Sequence, residues 1–178
     1  MPGVATSLQL LIYAEVGREH VPFLRRQLRS AVRMMRPIPP LTELSVALVG
    51  DARMARLHEQ FLTIPGPTDV LTFELERDKR NRVTAGEIII CVPFARRAAA
   101  GAGTSLSREL LLYALHGVLH LCGHDDRTRD GFRRMHEMED EILSRLGVGP
   151  VFNPHRSSAR PEVRTPIGHR RARKGDRA

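Results

Sequence analysis

Residues Gly86–Val92 read GEIIICV, with apolar side chains at five successive positions from Ile88 to Val92. A strand that keeps one face in water alternates apolar with polar, whereas a strand apolar at every position is covered on both faces. The chain therefore folds around a sheet against which other elements pack.

Segments of both periodicities surround this strand. Leu8–Ala14 reads as a strand, and His20–Met35 as a helix whose apolar residues Val21, Leu24, Leu28, Val32 and Met35 recur at three and four. Pro37, Pro39 and Pro40 break the chain before a second strand, Leu44–Val49. Asp51 is placed to cap a helix running to about Leu62, which Pro65, Gly66 and Pro67 terminate. Asp69–Leu75 alternates like a strand with one covered face, and the charged turn RDKRNR leads towards Gly86. Pro93 at the first helical position opens a helix into an Ala-rich stretch interrupted by Gly101 and Gly103. Ser105 or Ser107 caps the next helix, to about Cys122, and a last helix covers roughly Thr128–Leu146. The order βαβαββααα predicts an α+β (mixed α/β) domain: one mixed sheet of about four strands packed against about five helices. There is no GxGxxG, and with only two lysines in the chain a P-loop is excluded.

A chain of 178 residues suits one domain, and its charge divides it. The net charge is +8, but residues 151–178 hold eight basic side chains against Glu162 and Asp176, leaving 20 basic against 18 acidic in residues 1–150. The expected organisation is a folded domain over 1–150 and a basic, disordered tail over 151–178, either simply solvated or an RNA-contacting arm. Aromatic residues are 4% with no Trp, so extensive base-stacking platforms are not expected. Cys91 and Cys122 cannot form a disulfide scaffold, and neither an export signal nor a membrane span is recognisable, so the expectation is a cytoplasmic protein with free thiols.

The chemistry concentrates in ALHGVLHLCGHDD. His116 and His120, four apart in an apolar helix, project from one face at the spacing of two ligands for one metal ion. On a continued helix His124 would lie about 12 Å from His116, too far to share that ion. Gly123, just past the helix end, can take a left-handed conformation and turn the chain so that His124, Asp125 or Asp126 completes the site. Where the metalloprotease motif HExxH carries its general base, this chain has Gly117, so peptide hydrolysis by that route lacks its base. Three ligands and an open position still describe a catalytic zinc site, for which a phosphodiester is a suitable target.

HGVLHLCGHDD resembles the signature HGxLHLxGYDH of the YbeY family of bacterial ribosomal-RNA maturation factors. PTDVLTF (Pro67 to Phe73) is similar to the family's PTDVLSF, and GEIIIC to its GDIxIS strand. The resemblance covers approximately residues 8–148. It implies a single-strand-specific endoribonuclease that binds one zinc ion and acts in small-subunit ribosomal-RNA 3′-end maturation. The partners it implies are single-stranded or ribosomal RNA and the ribosome, with neither membrane nor DNA. The family pattern HxxxHxxGxxH carries over to His116, His120 and Asp126 as metal ligands, with Asp126 in place of the third histidine and His124 in place of tyrosine. The alternative third ligand is His124. The family's arginine before PTDVLSF falls on Leu62, in the pair Phe61–Leu62, and Arg53 and Arg56 are the nearest substitutes in sequence. No catalytic side chain is assigned. Thr68 and Asp69 either line the cleft or form a turn, and Asp125 either orients a ligand or stabilises the turn. Cys122 reads as a buried thiol. His136, Glu137, Glu139, Asp140 and Glu141 read as an exposed face. The competing function is a noncatalytic ribosome-assembly factor with a structural metal; hydrolysis of another substrate is a third.

Overall fold

A computed structural model of the chain describes residues 8–35 and 39–149; the readings of Pro37 and of the tail 151–178 lie outside the described residues. Nine regular elements follow the expected order: β1 (Gln9–Ala14), α1 (Val21–Met34), β2 (Glu43–Val49), α2 (Asp51–Leu62), β3 (Val70–Arg77), β4 (Val83–Cys91), α3 (Val92–Ala102), α4 (Leu106–Leu121) and α5 (Arg129–Arg145). A short 3-10 turn, Arg18–His20, precedes α1. The sheet order is β1-β2-β4-β3, with β1, β2 and β4 parallel and β3 antiparallel to β4.

β4 is covered on both faces, as its composition requires. Ile88 and Ile90 join the larger core with α1, α4 and α5, while Ile89 and Cys91 meet Met54, Leu57 and Leu62 of α2 on the other side. Two expectations need correction. β3 is not one-sided: Val70 to Glu74 are all buried, because α4 lies over one face and α2 over the other. Asp51 is not the cap of α2; Gly50 is, and the Asp51 carboxylate instead accepts hydrogen bonds from the Cys91 thiol and Arg97 at 3.2 Å each. At the next capped helix, Ser105 accepts from the Arg108 N–H, and at α5 Thr128 accepts from the Gly131 N–H.

α4 is the central element. Every residue from Glu109 to Leu121 is buried, and its fully buried leucines contribute about 1.5–3 kcal/mol each. It lies close on the sheet because the contact points carry no side chain. A β-carbon at Gly117 would stand 2.7 Å from Ile88 Cδ1 and 3.0 Å from Thr72 Oγ1, and one at Gly86 would stand 2.5 Å from Leu121 Cδ1.

A third close approach seats the loop that follows α4. A β-carbon at Gly131, in the first turn of α5, would stand 2.1 Å from the Asp125 carbonyl oxygen, which is backbone and cannot swing away. Gly131→Ala is therefore expected to destabilise the fold by about 1–3 kcal/mol despite alanine's better helix propensity. Thermal denaturation measures this, and an unchanged or raised Tm would show that the loop yields.

Candidate metal centre

α4 ends in a turn built from its own carbonyls. Gly123 adopts φ 89°, its N–H donates to His120 O at 2.9 Å, and the His124 N–H donates to Leu119 O at 3.0 Å. This double closure is the Schellman arrangement, which reverses the chain after the last helical residue. Asp126 is thereby carried back to the two histidines.

Three side chains converge. His116 Nε2 and His120 Nε2 are 3.0 Å apart, and the Asp126 carboxylate oxygens lie 3.7 Å from the first and 3.8 Å from the second. Donor atoms around one tetrahedral ion at about 2.1 Å stand about 3.4 Å from one another, and this set brackets that value. His124 contributes its backbone carbonyl, which accepts from His120 Nδ1–H at 3.0 Å; its ring is not among the converging groups.

The outer nitrogens explain why the inner ones are available. His116 Nδ1–H donates to Glu139 Oε1 at 2.7 Å, and His120 Nδ1–H to the His124 carbonyl, so both rings turn an Nε2 inward. Two facing acceptors repel unless a cation or a shared proton lies between them. Burial pulls the His116 imidazole down, but the hydrogen bond and charge of Glu139, with Asp126 and Asp69 behind it, carry it above the ordinary histidine value. His120 is pushed below it by burial and by the charge of His116. A divalent cation between the two Nε2 atoms would relieve the same repulsion. The donor set fits a metal of the zinc type.

Glu139 and His136 do not form an exposed face. They are 1% and 4% exposed, and the second Glu139 oxygen accepts from His136 Nδ1–H at 2.5 Å, so one buried carboxylate bridges two imidazoles. Burial alone would raise the Glu139 carboxyl, but the hydrogen bonds from His116 and His136 hold it at about 2. Glu137 and Glu141 are exposed as expected. A signal for Glu139 was present: Met135, Ile142 and Leu143 are the buried stripe of α5, and Glu139 falls four after the first and three before the second.

The remaining candidates separate. Asp69 is buried, which raises its carboxyl; Oδ1 accepts from the Val70 N–H at 2.7 Å and the Thr68 hydroxyl at 3.1 Å, and its charge acts on His116. Asp125 belongs to the turn: Arg127 donates to it from backbone and guanidinium and holds it at about 2. Cys122 is half-buried, and burial pushes its thiol up to about 12. Gly117 faces the sheet, so the missing glutamate of HExxH has no room there. Leu62 packs on the smaller core, Arg53 pairs with Glu15, and Arg56 is exposed on α2.

The family model for the endoribonuclease YbeY matches residues 15–147. Among curated proteins, an endoribonuclease YbeY of Acidothermus cellulolyticus is 37% identical over 118 residues, covering 60% of this chain and 72% of the relative. Those of Mycobacterium tuberculosis and Mycolicibacterium paratuberculosis are 40% and 41% identical over 115 residues, covering 60% of this chain and 65% of each relative. The solution structure of TM1509 from Thermotoga maritima shares the fold, with a TM-score of 0.54 at 23% identity, covering 88% of this chain and 99% of that one. No helix of the described residues is long and apolar enough to cross a membrane.

The bridging carboxylate has a measurable acid signature. Its folded value, about 2, lies below the ordinary 4.5, so its contribution to stability is complete above pH 4.5 and drains away as the pH falls towards 2. Glu139→Gln is expected to cost about 3 kcal/mol at neutral pH and to flatten the loss of stability in acid. Denaturation of both proteins across that range tests this; parallel acid limbs would exclude the carboxylate as the cause.

Proposed function

Because the chain belongs to the YbeY endoribonuclease family, we propose that it cleaves single-stranded RNA with one zinc ion held by His116, His120 and Asp126, in the cytoplasm, during small-subunit ribosomal-RNA 3′-end maturation on the ribosome. The observation that carries the reading is the convergence of two inward-facing Nε2 atoms and one carboxylate at the end of a buried helix. When bound, the ion supplies positive charge to a phosphoryl oxygen and acidifies water beside it. His116 and His120 bind through Nε2 while Glu139 and the His124 carbonyl accept from their Nδ1–H groups, which keeps each Nε2 aimed inward. Three donor side chains among the described residues leave a coordination position for substrate, which favours an enzyme over a closed structural site. Residues 1–150 form the catalytic domain, and the net +6 of residues 151–178 adds RNA affinity.

Cleavage of a labelled single-stranded RNA tests the assignment. Activity is expected to vanish with a chelator and in His116→Ala; cleavage that survives both would overturn it. Zinc binding should be lost in Asp126→Ala and kept in His124→Ala, and the reverse pattern would transfer the third-ligand role to His124.

The carboxylate makes the site less positive by one charge than a third histidine would. Water there is correspondingly less acidic, so Asp126→His is expected to move the pH optimum of cleavage downward. A pH–rate profile that does not move would separate the third ligand from the proton that matters.

A further inference from the structure

Charge in the domain is segregated. From His20 to Thr42 the sequence holds Arg25, Arg26, Arg29, Arg33 and Arg36 and neither Asp nor Glu, while the rest of residues 1–150 carries fifteen basic against eighteen acidic side chains. Nearly balanced overall, the domain is therefore acidic outside this one stretch.

The structure treats the two populations of arginine differently. Several of those outside the stretch are paired with an acid: Arg53 with Glu15, Arg82 with Asp78, Arg97 with Asp51, Arg127 with Asp125, Arg145 with Glu141. On α1, Leu24, Leu28, Ala31 and Val32 face the core and leave Arg25, Arg26, Arg29 and Arg33 exposed. Arg25, Arg26 and Arg29 make no ion pair among the described residues; Arg26 lies over the Phe23 ring, 5.9 Å from its centre. Like charges four apart on a helix repel. A helix needing only solubility can alternate signs, as α5 does with Arg133 and Glu137 or Glu141 and Arg145.

Arg25, Arg29 and Arg33 recur every four residues, so they advance along one ridge by about 6 Å each, comparable with the step between successive phosphates of an RNA strand. The helix that carries the ridge packs through its apolar face against the helix that carries His116 and His120. The start of α1 is tied to the start of α4 by His20 Nδ1 and Ser107 Oγ at 2.8 Å.

We propose that the arginine ridge of α1 is a docking surface for the sugar-phosphate backbone of RNA, distinct from the metal centre and indifferent to base sequence. It rests on the RNA-cleaving reading above. Backbone recognition by charge needs no aromatic platform, which this chain lacks, and it releases one counterion for each phosphate neutralised.

The test uses the full chain with chelator present, so that a labelled unstructured RNA is bound and not cut, and follows affinity against salt by fluorescence anisotropy. The double variant Arg25→Ala/Arg29→Ala is compared with Arg80→Ala/Arg96→Ala, which removes the same charge from exposed positions elsewhere, and with Arg25→Lys/Arg29→Lys. At about 0.15 M salt the ridge variant is expected to bind about tenfold more weakly, with a salt slope shallower by about 1.4, equally for RNAs of unrelated sequence. The control pair should change little, and the lysine pair should keep most of the affinity, with Tm and zinc binding unchanged throughout. Equal losses in ridge and control variants, or parallel salt slopes, would overturn the inference while leaving cleavage by the wild type standing. A wild type that neither binds nor cuts RNA would overturn both.

Discussion

A helix buried along thirteen successive residues has to satisfy whatever polar groups it carries, and α4 carries two imidazoles. That requirement organises the molecule around it. The sheet supplies an apolar floor, which α4 approaches closely because Gly86 of β4 and its own Gly117 carry no side chain. The turn after Leu121 supplies a carbonyl for His120, and α5 lies across the helix to supply a carboxylate for His116. Each satisfies the outer ring nitrogen and leaves the inner one facing its neighbour. The convergence of the two Nε2 atoms is thus a consequence of satisfying the polar groups of a buried helix.

The same logic explains why α5 is amphipathic in an unusual sense. Its inner stripe is not wholly apolar: Glu139 and His136 sit in it, among Met135, Ile142 and Leu143. A buried carboxylate is costly alone, but two imidazole donors hold it ionised. Removing either partner would leave a charge or a ring without its match, so helix packing and the orientation of His116 are coupled through one side chain.

Electrostatics divides the surface by task. The domain's acidic residues are spread over its other elements, five of them on α5, whereas α1 presents cations that no acidic side chain of its own segment offsets. The near-zero balance of residues 1–150 conceals this, because summation over a sequence discards position. A polyanion responds to local potential, which depends on where the charges lie.

Much was legible before any coordinates. Apolar patterning together with cap, proline and glycine signals gave all nine elements in order, because core burial and helix ends each leave a local mark on the chain. His116 and His120 declared themselves by spacing within one helix, a local relation. What sequence could not decide were relations across elements. Whether Asp126 or His124 returns to the histidines depends on the hydrogen bonds that close the turn at Gly123. That β3 is covered twice depends on where α2 and α4 come to rest. The partner of His116 lies twenty-three residues away on another helix, and Glu139 there looks like one acid among several until α5 is rotated onto α4. The sequence by itself determined the elements, their order and the pairing of His116 with His120 on one helix face, since each is written within a few residues of chain. Only the tertiary structure decided which carboxylate bridges His116 and His136 and which side chain returns to lie beside His116 and His120, because those relations depend on packing and turn closure beyond the local pattern.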